Sequence, residues 1–347
     1  MCSSKADGGK RCEYADALAN ARRKARYKYR DTRTDVRERK AQEAVETFKH
    51  KNPELVLAHL PESQPFNTAP GIKKIPEDIQ QLLRRERNTA IMADDKETRE
   101  ARTVELFEEY QTWDDSITDD ESNAVSWYTI DGFSPMNRIL RRKGFSEWAK
   151  RNTILLSGEE GAAGYKRTTL ERAKQISSAL SKAPVPDEPR KLYRFMEVPA
   201  GVSTSAYLDR YFREGQGFHE AGFMSTSADV EFIAAEAMSR NHGKKRGRIV
   251  IMEIVSKQGA SLQKRNRSVS GNVQSLEKEV LLPRGQKFRI AGVKKRQRIQ
   301  FGSERDDLRN HLRNRGMWLK PEAFNEGAIH SLPVIQLVDE KLIEEMS

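Results

Sequence analysis

Apolar positions are spaced for helices through the first half of the chain and for short strands through most of the second. From Glu13 to about Lys51 no Pro or Gly interrupts, and a thin apolar stripe of Tyr14, Leu18, Ala21, Ala25, Val36, Val45 and Phe48 runs between faces rich in Lys and Arg. This pattern predicts a solvated helix with basic faces, or else a basic arm for nucleic acid or an acidic protein. Pro53, Pro61, Pro65 and Pro70-Gly71 then cluster, which predicts a linker or ordered loop at about 61–72. Pro76-Glu77-Asp78 opens a helix, with Pro in the first turn and acids beside the positive end of the helix dipole. Ile79, Leu82, Leu83 and Ile91 are its expected apolar face. A further helix is expected at about 95–112, carrying Val104, Leu106, Phe107 and Tyr110.

The character shifts near residue 120. Helices are expected at about 121–128, 134–150 and 165–181, and the last must stop before the proline-rich Ala183-Pro184-Val185-Pro186-Asp187-Glu188-Pro189. Short strands follow at Leu192 to Met196, Gly222 to Ser227, Arg248 to Ile254, Val280 to Leu282, Lys287 to Val293 and Val334 to Val338. One helix, at about 228–240, lies among them. Irregular strand spacing with so few intervening helices predicts an α+β fold. Its core is a mixed, largely antiparallel sheet with flanking helices, preceded by an α-helical N-terminal region, and not a doubly wound sheet.

Composition narrows the chemistry. The chain has 347 residues, 37% apolar and 33% charged, with 62 Lys and Arg against 51 Asp and Glu, a net charge of +11. That excess favours an acidic partner. The two cysteines, Cys2 and Cys12, exclude a disulfide scaffold and a four-cysteine zinc site. The six histidines show no paired metal-ligand spacing, so no metal is expected. No apolar run is long enough to span a bilayer, and the first residues lack the apolar core of a signal peptide. The expected location is the cytoplasm of the producing cell or of a recipient cell, the latter reached by export without a cleavable signal.

The common nucleotide and hydrolase motifs are missing. There is no phosphate-binding G-x-x-x-x-G-K-[ST], Gly215-Gln216-Gly217 does not extend to a dinucleotide fingerprint, and no G-x-S-x-G appears. Three other features stand out: Tyr193-Arg194 in a short strand, Ser225-Thr226-Ser227 in another, and Glu277-Lys278-Glu279 entering a third. In extended chain, carboxylates two residues apart point to one side. Each feature alone has an ordinary explanation: a surface Arg, a loop string of hydroxyls, a frequent acidic pair.

Their order and contexts together resemble the Arg-Ser-Glu class of mono-ADP-ribosyltransferases, of the bacterial-exoenzyme and vertebrate-ectoenzyme type, over about residues 120–345. Trp127 to Arg141, with Tyr128, Asn137 and Leu140-Arg141, resembles the family's opening helices. Leu192-Tyr193-Arg194 resembles its first core strand, Gly222 to Ser227 its second motif and Glu277 to Gly285 its third. The resemblance implies NAD as substrate and an oxocarbenium-like transition state, which a fixed carboxylate stabilises. It assigns that carboxylate to Glu279, the grip on NAD phosphate to Arg194, and contact with the NAD ribose and orientation of Glu279 to Ser225. Thr226 and Ser227 would support the strand beneath the bound NAD. In this class a Glu at the position of Glu277 goes with arginine as acceptor, so the expected substrate is a target protein carrying an acceptor arginine.

Arg267 to Leu276 falls where the family carries its substrate-recognition loop, and offers only Val269, Val273 and Leu276 instead of an aromatic. The stretch from Lys294 to about His330 is longer than a hairpin and reads as an insertion. From Asn241 to Arg315 there are about 20 Lys and Arg against about 6 Asp and Glu, a basic surface suited to nucleic acid or an acidic partner. The competing readings are therefore ADP-ribosyl transfer to nucleic acid, hydrolysis of NAD, and a non-catalytic basic binding protein on the same fold. The expected organisation is a tail over 1–12, a basic helical accessory region over 13–118 and a catalytic domain over 119–347.

Overall fold

The structure, a computed structural model, describes residues 75–83, 90–142, 144–152, 158–199, 202–241, 249–262, 277–314 and 321–346, with isolated positions between 21 and 51. The expected tail, the loop at 61–72 and the substrate-recognition loop at 267–276 lie outside the described residues, as does most of the basic arm. Val36, Val45 and Phe48 of that arm are described, and are helical.

Among the described residues, nine strands form one mixed sheet. They are β1 (Ile91–Met92), β2 (Arg190–Glu197), β3 (Gly217–Glu220), β4 (Met224–Ser227), β5 (Ile249–Ser256), β6 (Ala260–Ser261), β7 (Glu279–Leu282), β8 (Gln286–Gln300) and β9 (Ile329–Asp339). The order is β1-β8-β9-β5-β2-β4-β7-β6, with β3 beside the start of β8. Pairing is antiparallel except for β1 with β8 and β5 with β9. The expected α+β class holds.

The sheet is nearly divided. β2 pairs with β5 over eight residues but with β4 at one position only, Tyr193 opposite Ser227. Two half-sheets therefore meet at a single pair and diverge from it. Arg194 lies on one side of the split and Ser225 on the other.

Helices cover the sheet: α1 (Glu77–Leu83), α2 (Lys96–Asp114), α3 (Asp119–Trp127), α4 (Phe133–Leu140), α5 (Phe145–Arg151), α6 (Gly158–Ser181), α7 (Thr204–Tyr211), α8 (Val230–Asn241), α9 (Asp306–Asn314) and α10 (Glu340–Glu345). The continuous helix expected at 134–150 is two helices, because Arg142 and Gly144 both take positive φ (52° and 71°) and turn the chain between α4 and α5. Ile91 is not on the α1 face. It sits on β1, opposite Ile299 of β8. On α2, Val104 is 55% exposed, and Leu106, Tyr110 and Trp113 form the buried face instead.

The first part of the segment read as accessory is outside the described residues, but from Ile75 onward it shares the cores of the sheet. Ile75, Ile79 and Leu83 pack with Val255, Val338 and Leu342. Leu106 joins Leu192, Met252 and Val280. Trp113 packs with Ala179 and Phe223, and its indole N–H donates to the Ala179 carbonyl at 2.7 Å.

α3 starts on a reciprocal cap. Thr118 Oγ1 accepts from the Glu121 N–H at 3.3 Å, and Glu121 Oε2 accepts from the Thr118 N–H at 2.8 Å. Burial of Glu121 works against its charge, but hydrogen bonds from Lys182, Ser178 and the Thr118 amide outweigh it and hold its pKa down at about 2. A depressed carboxyl contributes stability that is present above its unfolded value of 4.5 and is lost as pH falls through about 2. Glu121→Gln should therefore lower stability at neutral pH by about 1–2 kcal/mol, given that Lys182 is partly exposed. It should also flatten the stability profile between pH 4.5 and 2. Denaturant unfolding followed across that window checks both.

Candidate active site

The split between β2 and β4 opens a cavity of about 340 Å³. Arg194 and Phe195 of β2 form one wall, and Ser225, Thr226 and Ser227 of β4 the other, continued by Glu277 and Glu279. Phe232, Ile233 and Glu236 of α8 also line it, as do Tyr128, Thr129, Phe133 and Asn137. All six residues singled out from sequence thus line one space, brought together from segments far apart in the chain.

The ladder explains the central pair. β4 and β7 run antiparallel, with Ser225 opposite Leu281 and Ser227 opposite Glu279. Ser225 and Glu279 are diagonal neighbours on one face, and Ser225 Oγ donates to Glu279 Oε1 at 2.6 Å. The Arg194 guanidinium crosses the split and donates through Nη1 to the Ser225 carbonyl at 3.3 Å. Desolvation lowers the Arg194 pKa, partly offset by the negative charges of Glu220 and Glu279, and the guanidinium stays cationic. The hydroxyls of Thr226 and Ser227 donate to main chain, to the Val280 carbonyl and the Glu277 carbonyl, each at 2.6 Å. They bind β4 to the strand and turn that carry the two glutamates.

Glu277 and Glu279 reach the same cavity, but not by the alternation of an extended strand. Glu277 precedes β7, and Lys278 between them has φ 40°. A positive φ at a bulky residue costs roughly 1 kcal/mol or more and persists only where the surroundings hold it. The Lys278 side chain is buried and points away from the cavity.

The helical layer fixes the entry into β4. Asn137 of α4 clamps Phe223, its Oδ1 accepting from the Phe223 N–H at 2.9 Å and its Nδ2 donating to the Phe223 carbonyl at 3.1 Å. Nδ2 also donates to the Tyr128 hydroxyl at 3.0 Å. A Cβ on Gly222 would sit 2.5 Å from Asn137 Oδ1, so only glycine lets the amide approach. Arg141 holds Glu220 in two bonds of 2.7 and 2.8 Å. Burial drives the Tyr128 hydroxyl up to about 12, so it stays protonated. Tyr128 to Gly132 form a single π-helical turn at the rim, where Phe133 is 52% exposed. Among the described residues there is no group of three or more His, Cys, Asp or Glu placed to hold a metal ion, and no helix long and apolar enough to cross a membrane.

Sequence reasoning missed the α8 wall of Phe232, Ile233 and Glu236, and a buried charge cluster behind the site. There Arg305 pairs with Asp229 at 3.0 Å and with Glu231, and Arg99 of α2 reaches Glu231 at 3.4 Å. The one available signal was Asp229 two residues after Ser227, a helix-capping position whose carboxylate accepts from the Phe232 amide at 3.0 Å.

The model of the ADP-ribosyltransferase exoenzyme family matches residues 107–312, an interval that contains the whole Arg194, Ser225 and Glu279 constellation. The chain belongs to this family. Solved structures similar to this ADP-ribosyltransferase include Plx2a, an ADP-ribosyltransferase toxin from Paenibacillus larvae, at 20% identity over 70% of this chain and 96% of that one, with TM-score 0.42. Another is the Vis toxin, an ADP-ribosyltransferase from Vibrio splendidus, at 17% identity over 78% and 88%, with TM-score 0.42. A third is the ADP-ribosylating toxin BECa of C. perfringens, solved with NADH, at 15% identity over 72% and 50%, with TM-score 0.44. No curated protein matches the chain.

Proposed function

We propose that this ADP-ribosyltransferase uses NAD as substrate and transfers ADP-ribose to arginine side chains of target proteins, as a toxin or a phage or bacterial effector. The observation that carries the reading is the Ser225–Glu279 hydrogen bond in a cavity that also takes Arg194 and Glu277. The donor set fits the substrate: a planar cation for phosphate, a hydroxyl and a carboxylate for ribose, and apolar walls from Phe195, Phe232 and Ile233 for a flat ring.

Bound NAD supplies a ribose carbon that becomes electrophilic as its bond to nicotinamide breaks and nicotinamide leaves with the electron pair. Arg194 binds pyrophosphate oxygens. Glu279, oriented by Ser225, places negative charge where positive charge develops on the ribose. Glu277 accepts a proton from the incoming guanidinium, whose freed nitrogen lone pair forms the new bond to the ribose carbon. Thr226 and Ser227 hold the strand and the turn in register. The residues before about 75 would form a basic accessory region, and the exposed Lys294, Lys295, Arg296 and Arg298 of β8 a surface for an acidic partner.

The test is incubation with adenylate-labelled NAD and a cell lysate. Labelled protein should resist mild acid and release its label in neutral hydroxylamine, as arginine linkages do. Glu277→Gln should lower transfer at least about 10²-fold while NAD cleavage continues. Label in nuclease-sensitive material would move the acceptor to nucleic acid, and cleavage without any transfer would make the protein a glycohydrolase. No consumption of NAD by the wild type would leave a binding protein.

A further inference from the structure

The residue between the two glutamates, which a motif written as Glu-x-Glu leaves open, is here the most buried of the three, at 1% exposure. Lys278 turns its side chain away from the cavity, and its Nζ donates to the Arg99 carbonyl on α2 at 2.9 Å. Arg99 is itself fixed: its Nη1 donates to Ser303 Oγ at 2.8 Å and meets Glu231 at 3.4 Å. Glu231 in turn accepts from the Gly302 amide at 2.8 Å and from Arg305, which also holds Asp229. Asp229 donates its amide to Ser227 Oγ at 2.9 Å, and that hydroxyl donates to the Glu277 carbonyl. The path closes on the residue next to Lys278. Arg99 lies outside the interval matched by the family, so this anchor is supplied by the part of the chain that precedes it.

We infer that Lys278 is a positioning residue: its tether to α2 sets the turn that aims Glu277 at the acceptor, and so governs how NAD cleavage divides between transfer and hydrolysis. This rests on the role proposed for Glu277. With its middle residue pulled onto α2 at positive φ, the turn directs both flanking side chains into the cavity. The two glutamates depend on it unequally. Glu279 is within the β4–β7 ladder and bonded to Ser225. Glu277 lies outside the ladder, its main chain held by Ser227. Desolvation brings the Lys278 pKa down to about 8, as expected of an ammonium enclosed in protein.

Three variants test this with labelled NAD and agmatine as a soluble guanidine acceptor. In Lys278→Met, transfer should fall about tenfold or more while hydrolysis without acceptor falls less than about threefold and KM for NAD is unchanged. Lys278→Arg, which keeps a cationic donor, should recover most of the transfer. Lys278→Gly, which accepts positive φ freely but cannot tether, should behave like the Met variant. Equal losses of transfer and hydrolysis, or no loss of either, would overturn the proposal. Amide hydrogen exchange supplies an arm independent of the acceptor: the Met variant should lose protection at residues 277–280 and keep it at 249–256. If the wild type cleaves NAD but modifies no guanidine, the arginine reading fails and exchange alone decides the tether. Unchanged protection at 277–280 then rejects it.

Discussion

Glu279→Gln is expected to abolish NAD cleavage and ADP-ribose transfer together, by about 10²–10³-fold or more, with little change in stability. The substitution is nearly isosteric. A glutamine Oε1 can still accept from Ser225 Oγ, which in the wild type lies 2.6 Å from Glu279 Oε1. Pairing of β7 with β4 through main chain is untouched. What disappears is the negative charge fixed inside the cavity, where field strength is greater than in water. Nicotinamide release, measured with and without a guanidine acceptor, reads the effect, and a melting curve separates it from misfolding. Retention of either activity within a few-fold of wild type would show that charge at this position does not stabilise the reacting ribose. The pattern differs from that of Glu277→Gln, which spares cleavage.

The largest stability effect is expected at Arg305, in the charge cluster behind the cavity. Arg305 is 1% exposed, as is Glu231, and Asp229 is 4% exposed at its side chain. Burial opposes the Arg305 charge, but Asp229, Asp307 and Glu231 more than offset it and push its pKa above the usual value. Desolvation and the neighbouring Asp229 raise the Glu231 pKa, so the cluster tolerates its acids only because the guanidinium is there. Arg305→Met fills a similar volume and leaves two buried carboxylates without their main partner. A loss of about 3–5 kcal/mol is expected, from the measured cost of breaking one side of a buried pair. Adding Glu231→Gln should return part of it, since neutralising one acid relieves the unpaired charge. Denaturant unfolding of the single and double variants measures both, and a single-variant loss under about 1 kcal/mol would mean that the acids find other partners.

The site was legible in sequence to the extent that it is carried by short strings in order. Arg194, Ser225 and Glu279 could be read because each sits in a motif, and the structure places all three on one cavity. The means of assembly could not be read. Nothing in Leu192 to Met196 shows that β2 meets β4 at a single pair, since that depends on how β5 and β7 hold the outer edges of the two strands. Glu277 and Glu279 face one side as expected, but through a turn at Lys278 instead of extended chain, with Lys278 at positive φ and its ammonium on the Arg99 carbonyl. Buried charges are opaque for a related reason. Asp229, Glu231 and Arg305 look like surface composition in a chain that is 33% charged, and only the fold brings their signs together.

Elsewhere the misreadings have local causes. β8 was expected as the seven residues Lys287 to Val293, yet it continues to Gln300, because a register shift after Lys294 places Lys294, Lys295 and Arg296 in solvent and hides the period. Gly215, dismissed as part of a nucleotide motif, has φ 79° and turns the chain into β3. Among the described residues, the stretch from Lys294 to His330, expected to be an insertion, holds the end of β8, then α9, a short 3-10 turn and the start of β9.

The central place of β9 has a consequence for synthesis. β9 lies between β8 and β5, parallel to β5 and antiparallel to β8, so the wall carrying Arg194 cannot be joined to β8 and its neighbours β1 and β3 until residues 329–339 have left the ribosome. Glu279 reaches the cavity only after Lys278, and the cluster behind it waits for Arg305. A nascent chain that already displays Arg194 and Ser225 therefore still lacks β7, β8 and β9. The strands that line the cavity, β2, β4 and β7, are all synthesised before the strand that ties β5 to β8.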